Sequence, residues 1–229
     1  IVRREGLRWV HQRGRFISAL VRPLVWLAIF AAGFRFVLGV SIIPPYETYI
    51  PYEVYIAPGL IAMIELFNGM QSSLSMVYDR EMGIMRLLLT APLPRWYLLL
   101  CKLIAGTILS IFQAYAFLIV ATLSMQNWGR IANVGMNAFA PAIPWEGWFW
   151  LLPVMFFAGM LLGAIGLLLS VYIRQLENFA GTMNFVIFPM FFLSTSLYPL
   201  WKLKESGAEY LYWIALFNPF TYATEMIRF

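Results

Sequence analysis

Glu205 and Glu209 lie four residues apart, and on a helix that spacing puts two carboxylates on one face, as a paired general acid and base would require. No nucleophile or metal ligand stands beside them, so they are not expected to do enzymatic chemistry. His11 is the only histidine and Cys101 the only cysteine, which leaves no Cys/His metal cluster and no intrachain disulfide. The Gly-x-x-x-x-Gly-Lys-Ser/Thr loop that cradles nucleotide phosphates does not occur in the chain. The expectation is therefore a protein with no catalytic site of its own and no cofactor bound by this chain.

The remaining candidates are polar groups set inside apolar runs. Arg35 and Glu65 are ionisable residues in such runs, where a charge is costly unless paired or hydrated. Counting along antiparallel helices that begin near Ser18 and Ile56 brings both to a comparable depth. They are candidates for an intramembrane ion pair, and a substrate contact is the other reading. Asn68, Ser72 and Ser75 follow an i, i+4, i+7 spacing with Gln71 beside them. This stripe is a candidate substrate-path lining, with hydrogen bonding between helices as the competing reading.

Composition says what must position these groups. Hydrophobic residues make up 62% of the 229 and charged residues 12%, against roughly half and roughly a quarter in soluble domains. Several runs reach the about twenty apolar residues that a helix needs to cross hydrocarbon, and none shows the period-2 alternation of a barrel strand. The expected fold is an all-α integral membrane bundle whose spans cover about 18–43, 56–78, 96–125, 148–172 and 178–199, with an external segment over 200–229. Together these form one transmembrane domain, residues 18–229. Residues 1–17 form a basic segment with Arg3, Arg4, Arg8, Arg13 and Arg15 around Leu7, Trp9 and Val10; it suits an interfacial helix, or a flank that only sets topology.

The loop after the first span holds Glu47 and Glu53 but no Lys or Arg, which places the N-terminus in the cytoplasm. Its repeat, PYETYI then PYEVYI, spaces Tyr46, Tyr49, Tyr52 and Tyr55 by three, as an interfacial belt or an external aromatic lip. The net charge of +5 is spread over the N-terminus and the middle polar loop, so membrane orientation explains it and nucleic acid is not an expected partner. No small-residue cleavage site marks a signal peptide before the first span. In the fourth span Gly159 and Gly163 form a GxxxG that permits close helix approach.

Between the second and third spans, residues 78–97 break the apolar pattern with charge and a Pro-x-Pro stop. The expectation is a short cytoplasmic helix with Asp79 and Glu81 near its N-terminal end and Arg86 further on, as the macrodipole favours. Met82, Met85 and Leu89 form one stripe, and Ile84, Leu87 and Leu88 another. That is more apolar surface than a loop needs, and one face is left for a partner groove.

Here the sequence resembles the ABC-2 family of transporter permeases. The resemblance rests on Arg80-Glu81-Met82-Gly83, then Leu87-Leu88, Thr90, Pro92, Arg95-Trp96, Lys102-Leu103 and Ala105-Gly106. Two further blocks agree in order: Pro58-Gly59-Leu60, and Asn218-Pro219-Phe220-Thr221-Tyr222-Ala223. It implies a six-span permease pairing with a second copy or a paralogue above cytoplasmic ABC ATPase subunits that hold ATP and Mg. Asp79, Arg80, Glu81, Gly83, Met85, Arg86, Leu87 and Leu88 would then couple to the ATPase. The sixth span is expected after Phe229 and is not among the 229 residues. The resulting expectation is an exporter permease in a prokaryotic plasma membrane, surrounded by lipid; the alternative is a non-transporting scaffold or sensor of the same architecture.

Overall fold

Backbone groups in hydrocarbon must be satisfied within their own segment, and long apolar runs do this by becoming helices. The computed structural model describes residues 21–29, 52–85, 90, 94–131, 145–205 and 207–228, and among the described residues every regular element is helical. In chain order these are α1 (Tyr52–Glu81), α2 (Arg95–Ile131), α3 (Trp145–Tyr172), α4 (Leu176–Phe192), α5 (Leu200–Glu205), α6 (Glu209–Phe217) and α7 (Pro219–Arg228), preceded by a helical segment over residues 21–29. The segment 1–17, most of the first expected span and Tyr46 and Tyr49 lie outside the described residues.

Among the described residues three helices are long and apolar enough to cross a membrane, over Tyr55–Glu81, Arg95–Leu123 and Gly147–Tyr172. They coincide with the second, third and fourth expected spans. α4 has 17 residues, about 26 Å of helix, at the short end of what a crossing needs. It stops at Phe192, earlier than the expected 199, and the turn after it is held by a side chain from elsewhere. The Asn218 amide donates to the carbonyls of Met190 (2.7 Å) and Leu193 (3.0 Å) at the end of α4. Its Oδ1 accepts the Phe220 N–H at 3.0 Å, so the same residue N-caps α7, with Pro219 in the first-turn position where a missing N–H costs nothing.

α1 is the central helix and packs on α2, α3, α4 and α7. Ile56, Leu60, Ala62, Leu66, Met70 and Val77 along it are fully covered. The outer faces of its neighbours are apolar and uncovered, as at Phe112, Phe157 and Phe185, which is the surface expected of helices solvated by lipid. The segment 21–29 lies against this core, with Trp26 meeting Phe188 and Phe192 of α4, and the Arg22 guanidinium 4.2 Å from the centre of the Phe67 ring.

α1 and α3 meet backbone to backbone. A β-carbon on Gly69 would stand 2.7 Å from the Cα of Gly163, and one on Gly166 would stand 3.1 Å from the Gly69 carbonyl oxygen. The GxxxG pair of α3 therefore has its partner glycine on α1. A β-carbon on Gly163 would press on the movable tip of Leu103, at 2.8 Å, and stand at ordinary contact, 4.0 Å, from the Gly69 Cα. Gly69→Ala is expected to push the helices apart at a cost of about 1–3 kcal/mol, while Gly163→Ala costs less. Thermal unfolding of the two variants in detergent checks the order, and equal melting shifts would contradict it.

Candidate functional site

The polar residues gather in two connected places, the interface of α1, α2 and α3 and the C-terminal end of α1. At the interface, Glu65, Ser72 and Ser73 of α1 and Lys102, Thr107 and Ser110 of α2 surround a small space closed on the α3 side by Gly159 and Gly163. A β-carbon on Gly159 would lie 3.7 Å from the Glu65 carboxyl carbon and 3.3 Å from the Ser110 Oγ, so glycine on α3 makes the room that these side chains fill. Among the described residues neither carboxylate oxygen of Glu65 has a hydrogen-bond partner. Arg35, its expected ion-pair partner, lies outside the described residues.

The expected single polar stripe on α1 is divided between two neighbours. Asn68 and Gln71 line a shallow pocket shared with Arg22 and Pro23. Ser72 and Ser75 turn toward α2, where Ser72 donates weakly to the Lys102 carbonyl (3.5 Å) and Ser75 accepts from Lys102 Nζ (3.1 Å). The stripe is wide enough to reach two neighbours because Gln71 and Ser72, adjacent in sequence, diverge by about 100° around the axis.

One turn further on, Lys102 Nζ forms a salt bridge of 2.8 Å with Asp79 Oδ2, and both side chains are almost wholly buried. Arg80 donates to the Ser170 carbonyl near the end of α3 at 3.0 Å. These contacts correct the expected short helix beginning at Asp79. Asp79, Arg80 and Glu81 form the last turn of α1, at the negative rather than the positive end of a helix dipole. The chain keeps its helical path because α2 and α3 supply partners for the charges. It turns only at Gly83, whose φ of 74° lies in the left-handed region that closes helix C-termini. The Gly83 N–H bonds the Arg80 carbonyl at 3.2 Å, and helical geometry resumes at Ile84 and Met85.

The expected coupling residues consequently separate. Asp79 is buried and Arg80 is engaged, whereas Glu81, Met82, Gly83 and Ile84 are exposed and Met85 is half-buried. Arg86, Leu87 and Leu88 lie outside the described residues. Lys102 is a site residue outside the expected set, and its sequence signal is a lysine within the apolar run that continues through Ala105. Glu205 and Glu209, set aside as a catalytic pair, fall on two elements: Glu205 closes α5, and Glu209 begins α6. No group of three or more metal-ligating side chains occurs among the described residues.

Comparison with known proteins gives one consistent result. Residues 1–229 match the family described as ABC-2 type transporter. The chain is 27% identical over 236 residues to a chain of Porphyra purpurea named as the transport permease ycf38, covering 100% of this chain and 72% of that one. A chain of the same name in Cyanophora paradoxa is 28% identical, with 93% of this chain and 66% of that one covered. A chain of Escherichia coli (strain K12) named as the multidrug ABC transporter permease YbhR is 29% identical, with 80% and 45% covered. The chain thus spans between about half and three quarters of the length of these relatives. No solved structure matches it.

The buried Asp79–Lys102 pair generates a direct test. Lys102→Met leaves a buried carboxylate without its cation and is expected to destabilise by about 3–5 kcal/mol. The double variant Asp79→Asn, Lys102→Met should recover most of that loss, as read by thermal unfolding in detergent. A double variant no better than Lys102→Met would show that the pair is not what holds the two helices.

Proposed function

The chain belongs to the ABC-2 type transporter family and is a membrane-spanning permease of an ABC transporter, and from that premise we propose that it is the exporter subunit driven by a separate ATPase. The observation that carries this reading is the end of α1. Its last buried turn is fastened to α2 through Asp79 and Lys102 and to α3 through Arg80 and the Ser170 carbonyl. The next residues are exposed and include two uncovered apolar side chains, Met82 at 59% and Ile84 at 36%.

A force on this exposed turn reaches the helices lining the polar interior through fixed contacts and not through a slack loop. Apolar surface at a helix end favours a covering partner, and the neighbouring charge of Glu81 helps to orient it. We take the partners to be cytoplasmic ABC ATPase subunits holding ATP and Mg, with Met85, Arg86, Leu87 and Leu88 extending the contact. A second copy or a paralogue completes the translocation path, in a prokaryotic plasma membrane with the N-terminus in the cytoplasm. The lipid-facing surface and the similarity to a chain named as a multidrug permease support an amphiphilic cargo, moved outward.

Vesicle transport tests this reading. With the ATPase present, ATP should drive uptake of an amphiphilic dye into inside-out vesicles. Met82→Asp with Ile84→Asp should weaken ATPase association and lower uptake by about tenfold or more, with the melting temperature unchanged. ATPase binding that persists without ATP-dependent movement of any cargo would favour the scaffold reading instead.

A further inference from the structure

Glu65 is the polar group that the coupling mechanism leaves unused. It sits about 20 Å along the helix axis from Tyr52 and about 24 Å from Glu81, near the middle of a crossing helix. Its exposure is 1%, and among the described residues both carboxylate oxygens lack partners. A bare carboxylate at such a depth needs a positive charge or a proton.

The groups around it offer oxygen lone pairs in place of protons. Thr107 donates its hydroxyl to the Leu103 carbonyl (2.9 Å) and Ser110 to the Thr107 carbonyl (2.8 Å), and both stand with the Glu65 carboxyl around Gly159. Each hydroxyl has one proton, so its remaining valence toward the interior is that of an acceptor. With the Lys102 ammonium turned to Asp79, the polar atoms beside Glu65 are oxygens, of the kind that suits hard cations.

Charge and size narrow the occupant. The Lys102 ammonium on α2 is neutralised by Asp79 of α1, and α3 lines the space only with Gly159, Gly163 and Leu167. Arg22 from the 21–29 segment lies over Phe67, in a separate pocket, and Arg228 and Glu225 of α7 pair with each other at the far end of α1 beside Tyr55. Among the described residues that line this space, one negative charge is left over, which one monovalent cation balances and a divalent ion would overshoot. The enclosed space is about that of a single water molecule, too small for the head of an amphiphile.

We propose that Glu65 and the surrounding hydroxyl oxygens form an intramembrane site for one small monovalent cation, either a proton on the carboxyl or a sodium ion between it and the hydroxyls. Occupancy keeps the interior of α1, α2 and α3 electrically neutral, and it does not depend on an ATPase partner.

Dicyclohexylcarbodiimide, which modifies protonated carboxyls in apolar surroundings, tests this on the purified chain in detergent. Glu65 should be labelled, the label should fall as pH rises, and Glu65→Gln should abolish it at that position. Slower labelling and a higher melting temperature in sodium chloride than in choline chloride, both lost in Glu65→Gln, would identify sodium; insensitivity of the label to sodium would identify the proton. Absence of labelling at every pH together with equal melting in the two salts overturns the proposal. Labelling gained only in Arg35→Gln also overturns it, because Glu65 would then have an arginine as its partner.

Discussion

The polar groups that α1 carries into the bundle find partners or room there only as the neighbouring helices allow, and the glycines of α1 and α3 set how close those neighbours come. Gly69 and Gly163 meet at backbone contact, and Gly159 leaves the space into which Glu65, Thr107 and Ser110 project. Lipid tails are as apolar as leucine, so there is little hydrophobic drive to hold membrane helices together; close packing and interhelical polar contacts do it instead. The same glycines thus serve both adhesion and the polar interior, and widening the contact would disturb both.

The two ends of α1 are built differently. At the C-terminal end, charges that would otherwise mark a loop are drawn into the helix by Lys102 and by the Ser170 carbonyl, and the turn is postponed to Gly83. At the N-terminal end, Tyr55 donates to the Thr195 carbonyl at 2.9 Å and lies under the Arg228 guanidinium, so α7 is bound to the start of α1 and to the turn after α4. The N-terminal end is locked, while the C-terminal end presents uncovered side chains beyond its anchors. That asymmetry suits the proposed drive from the cytoplasm.

Much of this was legible in the residues, because length and apolarity decide whether a helix crosses a membrane. Helices α1, α2 and α3 cover the ranges read as the second, third and fourth spans, with α2 extending further at its C-terminal end. The cytoplasmic helix was misplaced because charge was read as a boundary, and only the tertiary partners of Asp79 and Arg80 reveal that α1 absorbs it. The early end of α4 was hidden for a similar reason, since Asn218 lies far along the chain from the carbonyls it caps. The polar stripe was recognised as polar, but periodicity alone does not say which neighbour each of Asn68, Gln71, Ser72 and Ser75 meets. Lys102 was passed over because it was read only as part of a family motif.

The central claim is that the exposed turn at Met82–Ile84 rests on an ATPase. A photo-activatable cross-linking residue at position 84, in the complex purified from its own membrane, tests this directly. The account predicts an adduct with a chain carrying a phosphate-binding loop. An adduct formed only with lipid, or only with a protein lacking such a loop, would contradict it.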